Sequence, residues 1–66
     1  MVVCFQDAND GSNVFIVPSS VEAMMGIRHR GKQATLLKFL DRDGELQETE
    51  VKGAVDDVRL RLTSKA

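Results

Sequence analysis

The stretch Ala34-Thr35-Leu36-Leu37-Lys38-Phe39-Leu40 is dense in apolar residues. Successive side chains of a strand point to opposite faces of the sheet. Leu36 and Leu40 would therefore share one face, and Leu37 and Phe39 would share the other. Because both faces are apolar, both need cover, and this stretch is predicted to be the central strand of a sheet.

Turn-forming sequences border this strand on both sides. Arg30-Gly31-Lys32-Gln33 before it predicts a hairpin turn, and Asp43-Gly44 after it supplies the positive φ angles of a tight hairpin. The returning strand is predicted to run from Glu45 to Val51. It and the residue after it carry charged side chains that are typical of a sheet edge: Glu48, Glu50 and Lys52.

The N-terminal part of the chain predicts a further hairpin. Met1–Phe5 and Val14–Val17 are apolar runs, and the turn formers Asp7–Asn13 separate them. Pro18 is expected to end the second strand, because proline has no N–H to donate to a ladder.

The segment that follows Pro18 is open to two interpretations. Ser19–Glu22 has the spacing of a helix capping box, whereas alternation from Val21 to Ile27 indicates a strand. Gly26 and the β-branched residues favour the strand. We therefore predict a turn at 18–20 and a strand over about 21–30, with room for a one-turn helix over 19–23.

The C-terminal segment is ambiguous as well. Val55, Val58 and Leu62 fall on one helical face, and two aspartates near its start suit a helix N-terminus. Val58, Leu60 and Leu62 also alternate as they would in a strand. The helix is favoured, so the predicted fold class is α+β and mostly β: one domain over residues 1–66, with a small antiparallel sheet of four to five strands and one C-terminal helix. The alternative is an all-β fold.

Size limits what this domain can do alone. The chain has 66 residues. A domain of about this length buries only about 60% of the surface that its unfolded form exposes. Its single cysteine, Cys4, cannot form an internal disulfide, and Cys4 with the only histidine, His29, is far short of a zinc site. Self-association into a dimer or larger symmetric oligomer is therefore expected, without a metal or cofactor.

Few residues suggest chemistry. Asp41-Arg42-Asp43-Gly44 has part of a calcium-loop pattern but fits a hairpin turn better. His29 has no partner fixed by sequence spacing, so a surface histidine is expected, and Cys4 is expected to be a small buried hydrophobe. No nucleophile or acid–base pair is evident, and the chain is not expected to be an enzyme.

Positive charge is concentrated at one turn. Arg28, His29, Arg30 and Lys32 lie in or beside the predicted hairpin tip, where Arg side chains can hold phosphates by paired hydrogen bonds. Arg59 and Arg61 would extend this patch if the C-terminal segment folds back beside it. These six residues are the candidate binding site for a protein or a small anionic ligand.

The order of features resembles that of the small FlbD-like flagellar proteins. The matching stretches are Val14–Val21, Asp43-Gly44 and Val51–Val58. The rhythm of strands and turns is also similar to part of the LytTR-type DNA-binding domains. The resemblance implies a fold of strands followed by a valine-bearing C-terminal helix, and it does not imply a role.

The preferred hypothesis is a non-catalytic, oligomeric binding module. Its leading alternative is a nucleic-acid-binding regulator that uses the basic turn at 28–32. The net charge of −1 disfavours this nucleic-acid alternative. The chain also lacks Tyr and Trp, and its three Phe residues are expected in the core, where they could not stack on bases. A small enzyme with its active site at a subunit boundary is a further alternative. No apolar run reaches the ~18 residues of a membrane span, so a cytoplasmic protein without membrane contact is expected.

Overall fold

A computed structural model describes residues 1–63 of the chain, so the last three residues of the predicted domain lie outside the description. Its elements in chain order are β1 (Val3–Gln6), β2 (Asn13–Ile16), a single 3-10 turn (Pro18–Ser20), β3 (Val21–His29), β4 (Lys32–Leu40), β5 (Leu46–Lys52) and α1 (Val55–Thr63). The fold is mostly β with one C-terminal helix, as predicted, and the all-β alternative is wrong. None of the helices among these residues has the length and apolar character needed to cross a membrane.

The five strands form two sheets, so the prediction of one sheet of four to five strands is wrong. β1 and β2 pair as an antiparallel hairpin, and β3, β4 and β5 form a separate antiparallel sheet in that order. Pro18 opens the 3-10 turn that separates β2 from β3. The hairpin approaches the larger sheet through one bridge, Asp7 to Val51, and through the Ala8 N–H, which donates to the Glu50 carbonyl at 2.8 Å.

β4 is the central strand, as its two apolar faces predicted. It pairs with β3 along one side and with β5 along the other. Thr35 and Leu37 are fully buried on the face that carries the core, and Ala34 is buried on the opposite face. The Thr35 hydroxyl is satisfied, because it donates to the Gly53 carbonyl at 3.0 Å.

One core joins both sheets and the helix. It consists of buried residues from β1, β2, β4, β5 and α1: Phe5, Ile16, Leu37, Val51, Val58 and Leu62. On α1, Val58 and Leu62 are four positions apart and share one helical face, while Leu60 between them is 67% exposed. In a strand, Leu60 would lie on the same face as Val58 and Leu62 and would be buried with them. The exposure of Leu60 therefore distinguishes the helix from the strand.

The turns at 18–20 and 30–31 lie where the sequence predicted them. Residues 18–20 form a turn and Val21 begins a strand, in agreement with the favoured interpretation of that segment. Arg30 and Gly31 form a two-residue hairpin turn, with φ angles of 52° and 78°. Phe15 contradicts the expectation for the aromatic residues: it is 66% exposed on the outward side of β2, whereas Phe5 is buried and Phe39 packs against the core.

Candidate functional site

The turn between β1 and β2 is held in a fixed shape at the edge of the larger sheet. The Asp7 N–H donates to the Ser12 carbonyl at 2.8 Å, and the Gly11 N–H donates to the Asp7 carbonyl at 2.9 Å. The Asp7 carboxylate also accepts the Asn9 N–H at 2.7 Å. Because the Ala8 N–H is hydrogen-bonded to the Glu50 carbonyl of β5, the turn between β1 and β2 stands as a wall along the edge of the sheet.

A cleft of about 520 Å³ lies between this wall and the tip of the β3–β4 hairpin. That volume is within the range of about 300–1,000 Å³ that small-molecule sites occupy. The Ala34–Lys52 pair of β4 and β5 lies along it. Its full lining comes from the first turn, the hairpin tip and the ends of β4 and β5: Ala8, Asn9, Asp10, Gly11, His29, Arg30, Lys32, Gln33, Ala34, Lys52 and Gly53.

The lining carries an excess of positive charge. Arg30, Lys32 and Lys52 contribute three cations and Asp10 one carboxylate, a balance of +2 with His29 neutral, on a chain whose net charge is −1. The salt bridges within residues 1–63 involve none of these three cations. Unpaired cations around a concave surface attract an anion more strongly than isolated surface charges do.

Lys52 reaches across the cleft. A Cβ atom on Gly11 would lie only 3.6 Å from the Lys52 ammonium nitrogen, so the side chain extends from β5 to the first turn. The Asp10 carboxylate is engaged within that turn, because it accepts the Ser12 N–H at 2.8 Å. This hydrogen bond is the main cause that lowers the pKa of Asp10.

His29 is half-buried rather than fully exposed, which corrects the expectation of a surface histidine. Its side chain is 20% exposed, and Nδ1 lies 3.4 Å from a carboxylate oxygen of Glu50 on the strand beyond β4. Nε2 is buried and has no hydrogen-bond partner within the described part of the chain. The Glu50 carboxylate therefore lies beside the ring of His29, which lines the cleft.

Arg30 occupies a strained backbone position. It is the only non-glycine residue with a positive φ angle among residues 1–63. The left-handed conformation costs a side-chain-bearing residue about 1–2 kcal/mol, and Asn, Asp or Gly normally fill this place in a two-residue hairpin. This strained turn position places the Arg30 side chain at the rim of the cleft.

The other three predicted site residues lie outside the cleft. Arg28 donates to the Gly31 carbonyl at 3.2 Å and lines a second, smaller hollow beside Val55. Arg59 pairs with Asp56 of its own helix at 2.7 Å. The Arg61 guanidinium lies 4.5 Å from the centre of the Phe5 ring and donates to a backbone carbonyl of β1. The helix therefore does not extend the basic turn into the cleft.

Strand alternation explains how the basic turn is divided. His29 pairs with Lys32 and Arg28 pairs with Gln33, so successive residues of the hairpin belong to opposite faces. Lys52 was missed because its charge was attributed to a sheet edge. The signal that finds it is register: the hairpin that pairs Leu40 with Leu46 also pairs Ala34 with Lys52, beside the basic turn.

Within residues 1–63 no group of three His, Cys, Asp or Glu side chains is arranged to hold a metal ion. Cys4 is half-buried on β1 and does not line the cleft. Comparisons with protein-family models, with curated proteins and with solved structures give no match to this chain.

Proposed function

We propose that this protein is a non-catalytic binding module that holds a small anionic ligand in the cleft between the first turn and the β3–β4 hairpin. The observation that carries the proposal is a set of three cations, Arg30, Lys32 and Lys52, that form no salt bridge with any residue of 1–63, on a chain of net negative charge. Arg and Lys side chains bind phosphate and carboxylate groups through charge-assisted hydrogen bonds.

The surroundings of the cleft favour a small anion over a nucleic acid. Glu48 and Glu50 lie on β5 next to the first turn, where they would repel a long phosphate backbone. No aromatic side chain of the described residues lines the cleft, and the exposed Phe15 lies on the separate two-stranded sheet. The cleft therefore offers charge without a surface on which bases could stack.

The test is calorimetric titration of the full chain with inorganic pyrophosphate, a compact probe anion. Lys32→Ala and Lys52→Ala are each expected to weaken binding by about tenfold, because each removes one charged hydrogen-bond donor. Arg42→Ala is the matched control. It removes the same charge from the loop between β4 and β5, away from the cleft, and is expected to leave the affinity unchanged.

A short single-stranded DNA serves as the second probe. The proposal expects weak binding that all three variants reduce equally, since only net charge would matter. If DNA binds more tightly than pyrophosphate and its affinity falls steeply with salt, the nucleic-acid alternative is correct instead. If Arg42→Ala weakens pyrophosphate binding as much as Lys52→Ala does, the cleft is not the site.

A further inference from the structure

The outer edge of β3 is open. β3 is the first strand of the β3–β4–β5 sheet, it is nine residues long, and within residues 1–63 no strand pairs with its outer side. A long edge of this kind is a template for pairing with another chain unless charges or prolines guard it. The middle of β3, Ala23–Ile27, contains neither.

The charges on this strand are placed symmetrically about its centre. Glu22 and Arg28 each lie three residues from Met25, and both are exposed. The pairing of β3 with β4 shifts register between Val21 and Ala23, so Glu22 lies at this irregularity, at one end of the regular part of the strand. When two copies of the strand pair in antiparallel fashion about a two-fold axis at Met25, Glu22 of each copy, counted along the outer edge, lies opposite the partner's Arg28. Opposite charges directly across an antiparallel pair stabilise it, and like charges destabilise it.

The same register matches the shapes of the facing residues. Met24 would face the partner's Gly26, which has no side chain and borders a hollow of about 360 Å³ beside Val55. Met25, which is 56% exposed, would face its own symmetry mate. A shift of the axis to Met24 would remove both charge pairs, because Glu22 would then face the partner's Gly26. A shift to Gly26 would set Glu22 opposite Arg30, which lies in the hairpin turn beyond the end of β3, and would leave Arg28 opposite Met24.

We infer that this chain forms a two-fold dimer by antiparallel pairing of β3 with β3 of a second copy, centred on Met25, which joins the two three-stranded sheets into one sheet of six strands. The pairing satisfies the open backbone groups of both edges and covers the exposed methionines. It is independent of whether the cleft binds an anion, because neither Glu22 nor Met25 lines that cleft.

The experiment uses charge reversal and light scattering at about 100 μM chain, a concentration at which a micromolar dimer is nearly complete. Glu22→Arg alone and Arg28→Glu alone each place two like-charge pairs across the two-fold, so each is expected to raise the dimer dissociation constant by about tenfold or more. An equimolar mixture of the two variants restores two opposite-charge pairs and is expected to regain the dimer mass. Circular dichroism checks that each variant is folded.

A cross-link provides a second measurement. In a Cys4→Ser background, Met25→Cys is expected to form an intermolecular disulfide under mild oxidation, because directly opposed residues lie within disulfide range. Ala23→Cys is the matched control: its two copies would be four residues out of register, about 13 Å apart, and are expected to stay reduced. A monomeric wild type, a mixture that fails to dimerise, or equal cross-linking at both positions would overturn the inference.

Discussion

Val55 Cγ1 lies 3.4 Å from the position that a Cβ atom would take on Gly26. The first turn of α1 therefore rests on the one residue of β3 that has no side chain. An alanine methyl group would make ordinary van der Waals contact there, whereas a larger branched side chain would have to displace the helix. Gly26 is therefore a point of close approach between the helix and the strand.

We expect Gly26→Ala to stabilise the fold by about 0.5–1 kcal/mol, because it removes unfolded-state freedom and adds a contact. Gly26→Val is expected to destabilise it by about 1–3 kcal/mol through overpacking against Val55. The measurement is the free energy of unfolding in urea at one fixed chain concentration. Gly31→Ala is the control for backbone strain: it has open space around it but a φ of 78°, and is expected to destabilise by about 1–2 kcal/mol. Gains at both glycines would contradict this explanation.

Arg30→Asn is expected to separate stability from binding. Asn tolerates the positive φ of this turn position, so the variant should be more stable by about 0.5–1 kcal/mol. The same change removes one cation from the cleft and should weaken pyrophosphate binding by about tenfold. Urea unfolding and calorimetry on the same preparation measure both effects. A variant that loses stability would show that the Arg30 side chain makes contacts that outweigh its backbone strain.

Thr35→Val tests how much the buried Thr35 hydroxyl contributes to stability through its hydrogen bond to the Gly53 carbonyl. The two side chains have similar shapes, but the variant loses the hydrogen bond to the Gly53 carbonyl and leaves that carbonyl without its Thr35 donor. We expect a loss of about 1–3 kcal/mol in the free energy of unfolding. Thr35→Ser keeps the hydroxyl and should lose less if the hydrogen bond dominates. A neutral Thr35→Val would mean that the Gly53 carbonyl finds another donor.

Asp41 organises the loop between β4 and β5. Its carboxylate accepts the Glu45 N–H at 3.0 Å, the Gln47 side-chain amide at 2.9 Å and the Asp43 N–H at 2.9 Å. These hydrogen bonds, led by that of Glu45, lower the pKa of Asp41 below its ordinary value of 3.8. A carboxylate whose pKa is lowered on folding adds stability above the ordinary pKa, and that stability is lost as the pH falls through the lowered value.

We therefore expect Asp41→Asn to be less stable than the wild type near neutral pH, with the difference shrinking as the solution is acidified below the ordinary aspartate range. Unfolding free energies across an acid series measure it. Asp43→Asn is the matched control, because within the described residues the Asp43 side chain makes no hydrogen bond. A difference that grows on acidification would show that the assigned sign is wrong.

Local pattern was sufficient for most elements of this fold. The two-faced apolar stretch at Ala34–Leu40 predicted a central strand, and the glycine turns on either side predicted its two neighbours. The number of sheets was not predictable in the same way. Whether the first hairpin joins the larger sheet depends on the direction in which the chain leaves Pro18, and neither periodicity nor turn propensity encodes that direction.

The candidate site was predicted only in part, because a site combines residues that are distant in the chain. His29, Arg30 and Lys32 are neighbours in sequence and were identified together. Lys52 joins them through strand register. The first turn joins them through the bridge between Asp7 and Val51 and the hydrogen bond from Ala8 to Glu50, which no local pattern reveals. Glu50 lies near His29 because β3 and β5 both pair with β4, so the half-buried state of that histidine also depends on long-range pairing.

The most direct test of the binding proposal follows the backbone amide NMR signals of the full chain during titration with inorganic pyrophosphate. If the cleft is the site, saturable shifts will be confined to residues 8–11, 29–30, 32–34 and 52–53, which line it, and to their immediate neighbours in the chain. Lys52→Ala should reduce the apparent affinity of those shifts, and the signals of α1 should stay in place. Shifts that are absent, or that centre on Arg59 and Arg61 of the helix, would contradict the proposal.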